Sequence, residues 1–108
     1  MEGILEVMFQ RFDLVLAEVP FEDCAESKIR PVLIVDNEAY LVRCFGVTSN
    51  TSRPEDYVIK EWKAAGLRKP SAIRVQRIIA LDADFVGYKI GHLQPIDIYE
   101  IQKMLSLV

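Results

Sequence analysis

The sequence predicts a mainly β domain with added helices: a small, strongly bent sheet or barrel carrying a C-terminal helix. Three observations carry this. The chain has 108 residues, 51% of them apolar, which suits one hydrophobic core in a single domain spanning 1–108 rather than a disordered chain. Its apolar stretches are short, alternating or β-branched, with Pro, Gly and Asn between them. Only the last segment sustains apolar residues at helical spacing.

Asp13 to Val19 (DLVLAEV) alternates Leu14 and Leu16 against Val15, Ala17 and Val19 until Pro20 stops it, the pattern of a strand. Pro20 to Ile29 reads as a polar connection, long for a hairpin loop. Pro31 to Val35 is continuous and β-branched, hence a strand buried on both faces with the proline as its first residue. Asp36-Asn37-Glu38 signals a turn, and Tyr40 to Thr48 is the antiparallel partner; Gly46 within it marks a bulge or a close backbone approach. After a loop from Ser49 to Pro54, Tyr57-Val58-Ile59 reads as a short strand. Lys60 to Ala65 reads as a short helix turning Trp62 inward, with Gly66 as its left-handed cap. Ser71 to Leu81 is the longest strand candidate, with Ile73, Val75, Ile79 and Leu81 on one face and Ala72, Arg74 and Gln76 on the other. Lys89 to Leu93 is a short strand or turn. Pro95 to Val108 is a helix whose Ile98, Ile101, Leu105 and Val108 face the sheet while Asp97, Glu100 and Lys103 face water.

Several function classes fall away. No apolar run is long enough to cross a bilayer, and MEGILEVMFQRF lacks a basic segment ahead of an apolar one, so a soluble cytoplasmic protein with no membrane partner is expected. Cys24 and Cys44 have neither metal-ligand spacing nor the density of a disulfide scaffold and are expected as reduced thiols, Cys44 in the core. The lone His92 reads as a satisfied turn residue. There is no glycine-rich phosphate loop, no pair of metal-binding histidines, no nucleophile elbow and no spaced Cys/His pair. Chemistry therefore falls to arginine, hydroxyls, carboxylates and backbone, with no metal or cofactor expected.

Charge is segregated along the chain. The net charge is −3, yet residues 28–77 hold ten Lys or Arg against five Asp or Glu, and the remainder holds three against eleven. A solvated mixed surface and an anion-binding surface both fit this pattern. Geometry sharpens it at Lys28-Ile29-Arg30-Pro31. In a hairpin turning near Asn37, Arg30 faces Phe45 if the loop has two residues, and Val47 or Thr48 if it is longer. Arg30 then meets Thr48-Ser49-Asn50 across at most roughly 10 Å, and Pro31 holds it extended. A guanidinium beside a hydroxyl and loop amides handles phosphate well. The plainer alternative is an ion pair of Arg30 with Asp23 or Glu26.

The blocks DLVLAEVPFED, ESKIRPVLIV, GVTSN, YVIKEWKAAGLRKPSAIRVQRIIALD and KIGHL, followed by a terminal helix, run in order from about Phe12 onward. Together they resemble the PemK/MazF family of toxins from bacterial type II toxin–antitoxin systems. The resemblance implies a small SH3-like β-barrel of the PemK/MazF/CcdB type with a C-terminal helix. It also implies a homodimer, a metal-independent endoribonuclease acting on single-stranded RNA, and an antitoxin protein that occupies the RNA groove. Arg30 matches the arginine of the family's Arg-Pro signature, and Thr48 with Ser49 matches its Thr-Ser, the implied catalytic residues. Ser71, Arg74 and Gln76 match the polar strand lining the groove, which Lys28 and Asn50 flank.

Three stretches depart from the pattern. Phe12-Asp13-Leu14 stands where members usually have Gly-Asp-Ile or Gly-Asp-Val, Asp23-Cys24-Ala25-Glu26-Ser27 where they carry glycines, and Gly46-Val47 where Pro-Ile or Pro-Leu is usual. Two other readings stay open: a protein-targeting toxin on the same fold, in the manner of a topoisomerase poison, and a non-catalytic member that only binds a partner.

Overall fold

A computed structural model of the chain describes residues 9–20, 27–38 and 40–106. The strands are β1 (Asp13–Pro20), β2 (Ser27–Asn37), β3 (Leu41–Thr48), β4 (Tyr57–Val58), β5 (Ala72–Asp82) and β6 (Val86–His92), followed by helix α1 (Pro95–Ser106). They form one antiparallel sheet in the order β4-β5-β3-β2-β1-β6. The expected mainly β class with a C-terminal helix is what is found, but the sheet is open, with β4 and β6 at its edges.

Alternation along the central strands buries both faces. Leu14, Leu33, Val35, Phe45, Val47 and Ile73 pack on one side with Ile101 of α1. Val15, Ala17, Val32, Ile34, Val42 and Cys44 pack on the other. Helix α1 lays Ile98, Ile101 and Leu105 onto the first side; Ile101 is fully buried, which contributes about 1.5–3 kcal/mol. Val108 of the expected stripe, Cys24, and Asp23 and Glu26 as partners for Arg30 lie outside the described residues.

Four expectations need correction. First, the polar connection is shorter than Pro20 to Ile29, because β1 and β2 stay paired out to Pro20 and Ser27. Pro31 is thus inside an eleven-residue strand, opposite Leu16, and not at its start. The β2–β3 ladder runs only as far as Val32 opposite Gly46, one residue from a proline that has no N–H to give. Among the described residues, Lys28 to Arg30 are therefore paired on the β1 side alone.

Second, Lys60 to Ala65 is a set of turns rather than a helix. It nevertheless ends as expected: Gly66 donates to the Lys63 carbonyl and Leu67 to the Trp62 carbonyl, the paired bonds of a Schellman cap, with Gly66 at φ 105°. Gly66 also crosses Gly91 of β6, where an added Cβ would stand 1.7 Å from the Ala65 carbonyl oxygen. Only two bare backbones pass so closely.

Third, β5 does not keep one alternation. Phe45 opposes Ile78 while Val47 opposes Ile73, so five steps on β5 match two on β3 and the side-chain parity inverts. Ile73 and Val75 accordingly pack with one cluster, and Ile79 and Leu81 with the other. Residues 74–77 bulge opposite Gly46, so the irregularity expected within β3 lies on the facing strand. No backbone among the described residues approaches Gly46 closely, the nearest atoms to an added Cβ being side-chain carbons at 3.9 Å.

Fourth, Asp97 does not face water. It is fully buried and accepts from the Tyr57 hydroxyl and from the backbone N–H groups of Lys60 and Glu61, the latter two at 2.9 Å. The first turn of α1 is thereby fastened to the turns after β4.

Phe12 explains one departure from the resembled pattern. It has φ 72°, a conformation that glycine adopts freely and that costs other residues about 1–2 kcal/mol. Burial of its ring offsets that cost, and its backbone is pinned at both ends, N–H to the Ile34 carbonyl at 2.6 Å and carbonyl to the Leu93 N–H at 3.0 Å.

Candidate active site

The β2–β3 register decides which side chains meet. Val32 lies opposite Gly46, and continuing that register by two residues on each strand sets Arg30 opposite Thr48. Because strand side chains repeat with period two, Lys28, Arg30 and Val32 share a face with Gly46 and Thr48. It is the face of the second core cluster, to which Val32 and Ala17, the β1 partner of Arg30, belong. Apolar burial ends at Val32, and beyond it Lys28 and Arg30 are exposed and Thr48 half-buried.

On the other side of β3, the Arg74 stem lies across Gly46, its Cδ 3.9 Å from where a Cβ would stand. Arg74 thus joins the same face from β5, roughly 10 Å from β2 across the intervening strand at about 4.8 Å per strand spacing. By register, Arg30 and Arg74 thus flank a strip of β3 that has no side chain at Gly46, a candidate trough.

Thr48 is held in place by its own loop. Its Oγ1 accepts the Asn50 N–H at 3.1 Å, and Asn50 Oδ1 accepts the Ser52 N–H and hydroxyl at 3.0 and 2.6 Å. A hydroxyl that is accepting from backbone retains its O–H to donate outward. Ser49 and Asn50 are exposed beside it. Ser71 is different: it is buried and its hydroxyl donates to the Lys69 carbonyl at 2.9 Å, so it offers nothing to the surface and instead fixes the start of β5. Arg74 and Gln76 line a depression of about 250 Å³ with Arg53, Glu55, Asp56 and Arg77.

His92 and Cys44 are occupied elsewhere. His92 Nδ1 is 2.7 Å from Asp13 Oδ1, four residues along β1 from Ala17, roughly 13 Å at about 3.3 Å per residue. Cys44 is fully buried, and desolvation pushes its thiol up to about 12, so it is a packing residue. No group of three or more His, Cys, Asp or Glu suited to a metal ion occurs among the described residues.

A profile of the "PemK-like, MazF-like toxin of type II toxin-antitoxin system" matches residues 10–108. The chain belongs to this toxin family. No curated protein matches it. Among solved structures, it is similar to the Mycobacterium tuberculosis toxin MazF-mt6, at 20% identity over 84% of this chain and 89% of that one, with a TM-score of 0.67. It is also similar to a mycobacterial endoribonuclease in complex with its cognate antitoxin, at 18% identity over 90% and 88% of the two chains, with a TM-score of 0.69. The open sheet and terminal helix of this PemK-like toxin are therefore the MazF architecture. No helix among its described residues is long and apolar enough to cross a membrane.

Reading the toxin's sequence alone misses Arg53, Asp56 and Arg77 as neighbours of Arg74. One signal was available: Arg53-Pro54-Glu55-Asp56 has proline at the second position of a β-turn, and Asp56 N–H does donate to the Arg53 carbonyl at 3.2 Å. The toxin's sequence pattern also carries no sign of the side-chain cluster around Asp13 where β1 meets β6. Burial raises the Asp13 carboxyl, but hydrogen bonds from the Gln10 N–H, His92 and Lys89 more than offset it and hold the group below its ordinary value. Such a group stabilises the fold above its unfolded pKa and loses that contribution as pH falls through the folded value. Asp13→Asn should lower stability by about 1–3 kcal/mol at pH 7, with the gap to the parent closing as pH drops below about 4. Urea unfolding at both pH values measures this; a gap that is equally wide at pH 2 contradicts it.

Proposed function

We propose that this toxin is an endoribonuclease that cleaves single-stranded RNA without a metal, with Arg30, Thr48 and Ser49 as its catalytic group. The observation that supports the reading is the β2–β3 register, Val32 opposite Gly46, which continued by two residues on each strand brings Arg30 across from Thr48, with the Arg74 stem over Gly46 from β5. In such a trough a ribose 2′-oxygen attacks the adjacent phosphorus and the bond to the 5′-oxygen breaks. The products are a 2′,3′-cyclic phosphate and a 5′-hydroxyl; the proton lost by the 2′-hydroxyl goes to solvent, and the leaving oxygen regains one from solvent.

Negative charge gathers on the phosphoryl oxygens as this proceeds. A guanidinium fixed on a strand stabilises that charge more than it stabilises the ground state. Arginine is a poor proton donor, since its pKa lies above about 12, so Arg30 acts electrostatically. Thr48, its oxygen already engaged by Asn50 N–H, donates to a phosphoryl oxygen and positions it, with Ser49 beside it. Lys28, Asn50, Arg74 and Gln76 hold the RNA backbone and bases on either side, while Ser71 supports β5 from within. We take the toxin to be a cytoplasmic homodimer restrained by an antitoxin that covers this trough.

The test is incubation of the pure protein with a long single-stranded RNA in EDTA. Discrete fragments bearing cyclic-phosphate ends, identified by mass spectrometry, are the expected result. RNA left intact at micromolar protein would overturn the reading and favour a toxin that acts only by binding protein.

A further inference from the structure

Building on the reading of this chain as an RNA-cleaving toxin, we propose that the depression beside the β5 bulge is a subsite for one unpaired nucleobase, and that it selects guanine. The Arg53–Asp56 turn forms one wall and residues 74–77 the other. At about 250 Å³ the space is just below the roughly 300–1,000 Å³ of sites for drug-sized ligands, which suits a single base.

Asp56 supplies the reason for a ligand. Its side chain is 2% exposed, and its Oδ2 is buried with no hydrogen-bond partner. The Arg53 Nε forms a long ion pair with it at 3.8 Å, too far for a hydrogen bond. A buried carboxylate oxygen without a donor is rare in folded proteins. Arg53 is half-exposed and also tied to Glu55 at 2.8 Å; surface pairs of this kind are weak, so these ties are a small cost to a base that reaches Asp56.

The mixture of groups sorts the ligand classes. A phosphate would meet the Glu55 and Asp56 carboxylates, so the neutral edge of a base fits better. Asp56 only accepts, and Arg74 and Arg77 only donate. Guanine presents two neighbouring donors, N1–H and the N2 amino group, on its Watson–Crick edge, and two neighbouring acceptors, O6 and N7, on its major-groove edge. Adenine and cytosine each set a ring acceptor next to their amino donor, which would oppose the Asp56 lone pairs. Uracil flanks its one N–H with carbonyls. Arg74 reaches both the depression and the trough, so the base held here belongs to the strand being cut.

Short uridine 2′-O-methyl oligonucleotides carrying one guanine, inosine, 7-deazaguanine or adenine test this, because they bind without being cut. By fluorescence anisotropy, guanine should bind about 5- to 150-fold more tightly than adenine, the discrimination of one bidentate contact. Inosine, lacking the amino group, and 7-deazaguanine, lacking N7, should each lose part of that preference. Asp56→Asn should reverse it toward adenine, because a carboxamide pairs with a donor–acceptor edge. If that variant does not fold, the inosine and 7-deazaguanine comparisons on the parent protein decide alone. RNA that is cut with equal binding of guanine and adenine overturns the subsite and leaves the nuclease reading standing. A guanine preference without cleavage supports the subsite and overturns the nuclease reading, and no binding of any oligonucleotide overturns both.

Discussion

Replacing Arg30 by alanine lowers kcat/KM for single-stranded RNA about 10²–10³-fold, the loss expected when one preorganised donor to a developing oxyanion is removed. The side chain is exposed and stands where β2 is paired only with β1, so it lies at the surface on a backbone that is held. Pro31 adds to this by restricting Arg30 to extended geometry. Arg30→Lys keeps the charge but not the planar fork, and should recover only part of the rate. Because the site is on the surface, both variants should unfold within about 0.5 kcal/mol of the parent, which separates lost chemistry from lost structure. Single-turnover cleavage of a labelled oligonucleotide is the measurement. If kcat is unchanged and only KM rises, Arg30 binds ground state and transition state alike and its proposed role is wrong.

The largest effect on stability belongs to a residue remote from that trough. Asp97→Ala should destabilise the fold by about 3–5 kcal/mol, since it strips a buried carboxylate from three donors at once. Burial and the neighbouring Asp97 hold the Tyr57 phenol well above its ordinary value, so it remains a donor throughout the neutral range. The carboxylate also sits in the first turn of α1, where negative charge meets the positive end of the helix dipole. Tyr57→Phe removes one of the three bonds and should cost about 1 kcal/mol. Urea unfolding compares the two; an Asp97→Ala loss no greater than that of Tyr57→Phe would show that the clamp is not the chief tie between α1 and the sheet.

Much of the architecture was legible because local periodicity is a local property. Leu14 against Val15 and Ala17, and Leu33 against Val32 and Ile34, separate into the two clusters as alternation requires. Legibility failed where a pattern was broken by something distant. Period two cannot be carried through β5, because the bulge opposite Gly46 inverts its parity. Helical spacing with Glu100 and Lys103 predicts a solvent-facing Asp97, although it stands one helical turn before buried Ile101. Two of its three partners are backbone N–H groups 36 and 37 residues away, and backbone donors leave no trace in a side-chain pattern.

The candidate site divides in the same way. The sequence by itself placed Arg30 and Thr48 on the two strands of one hairpin, with a register open to a few residues; the folded β2–β3 ladder fixes Val32 opposite Gly46. The sequence could not determine that Ser71 turns inward to the Lys69 carbonyl, that Arg74 lies across Gly46, or that Asp56 is buried in the wall facing residues 74–77. The first is a local turn bond two residues long; the second follows from β5 lying against β3 on the side opposite β2, and the third from β4 pairing with β5. The β3–β5 relation is set by packing between residues 24 or more apart in the chain, which only the folded sheet brings together.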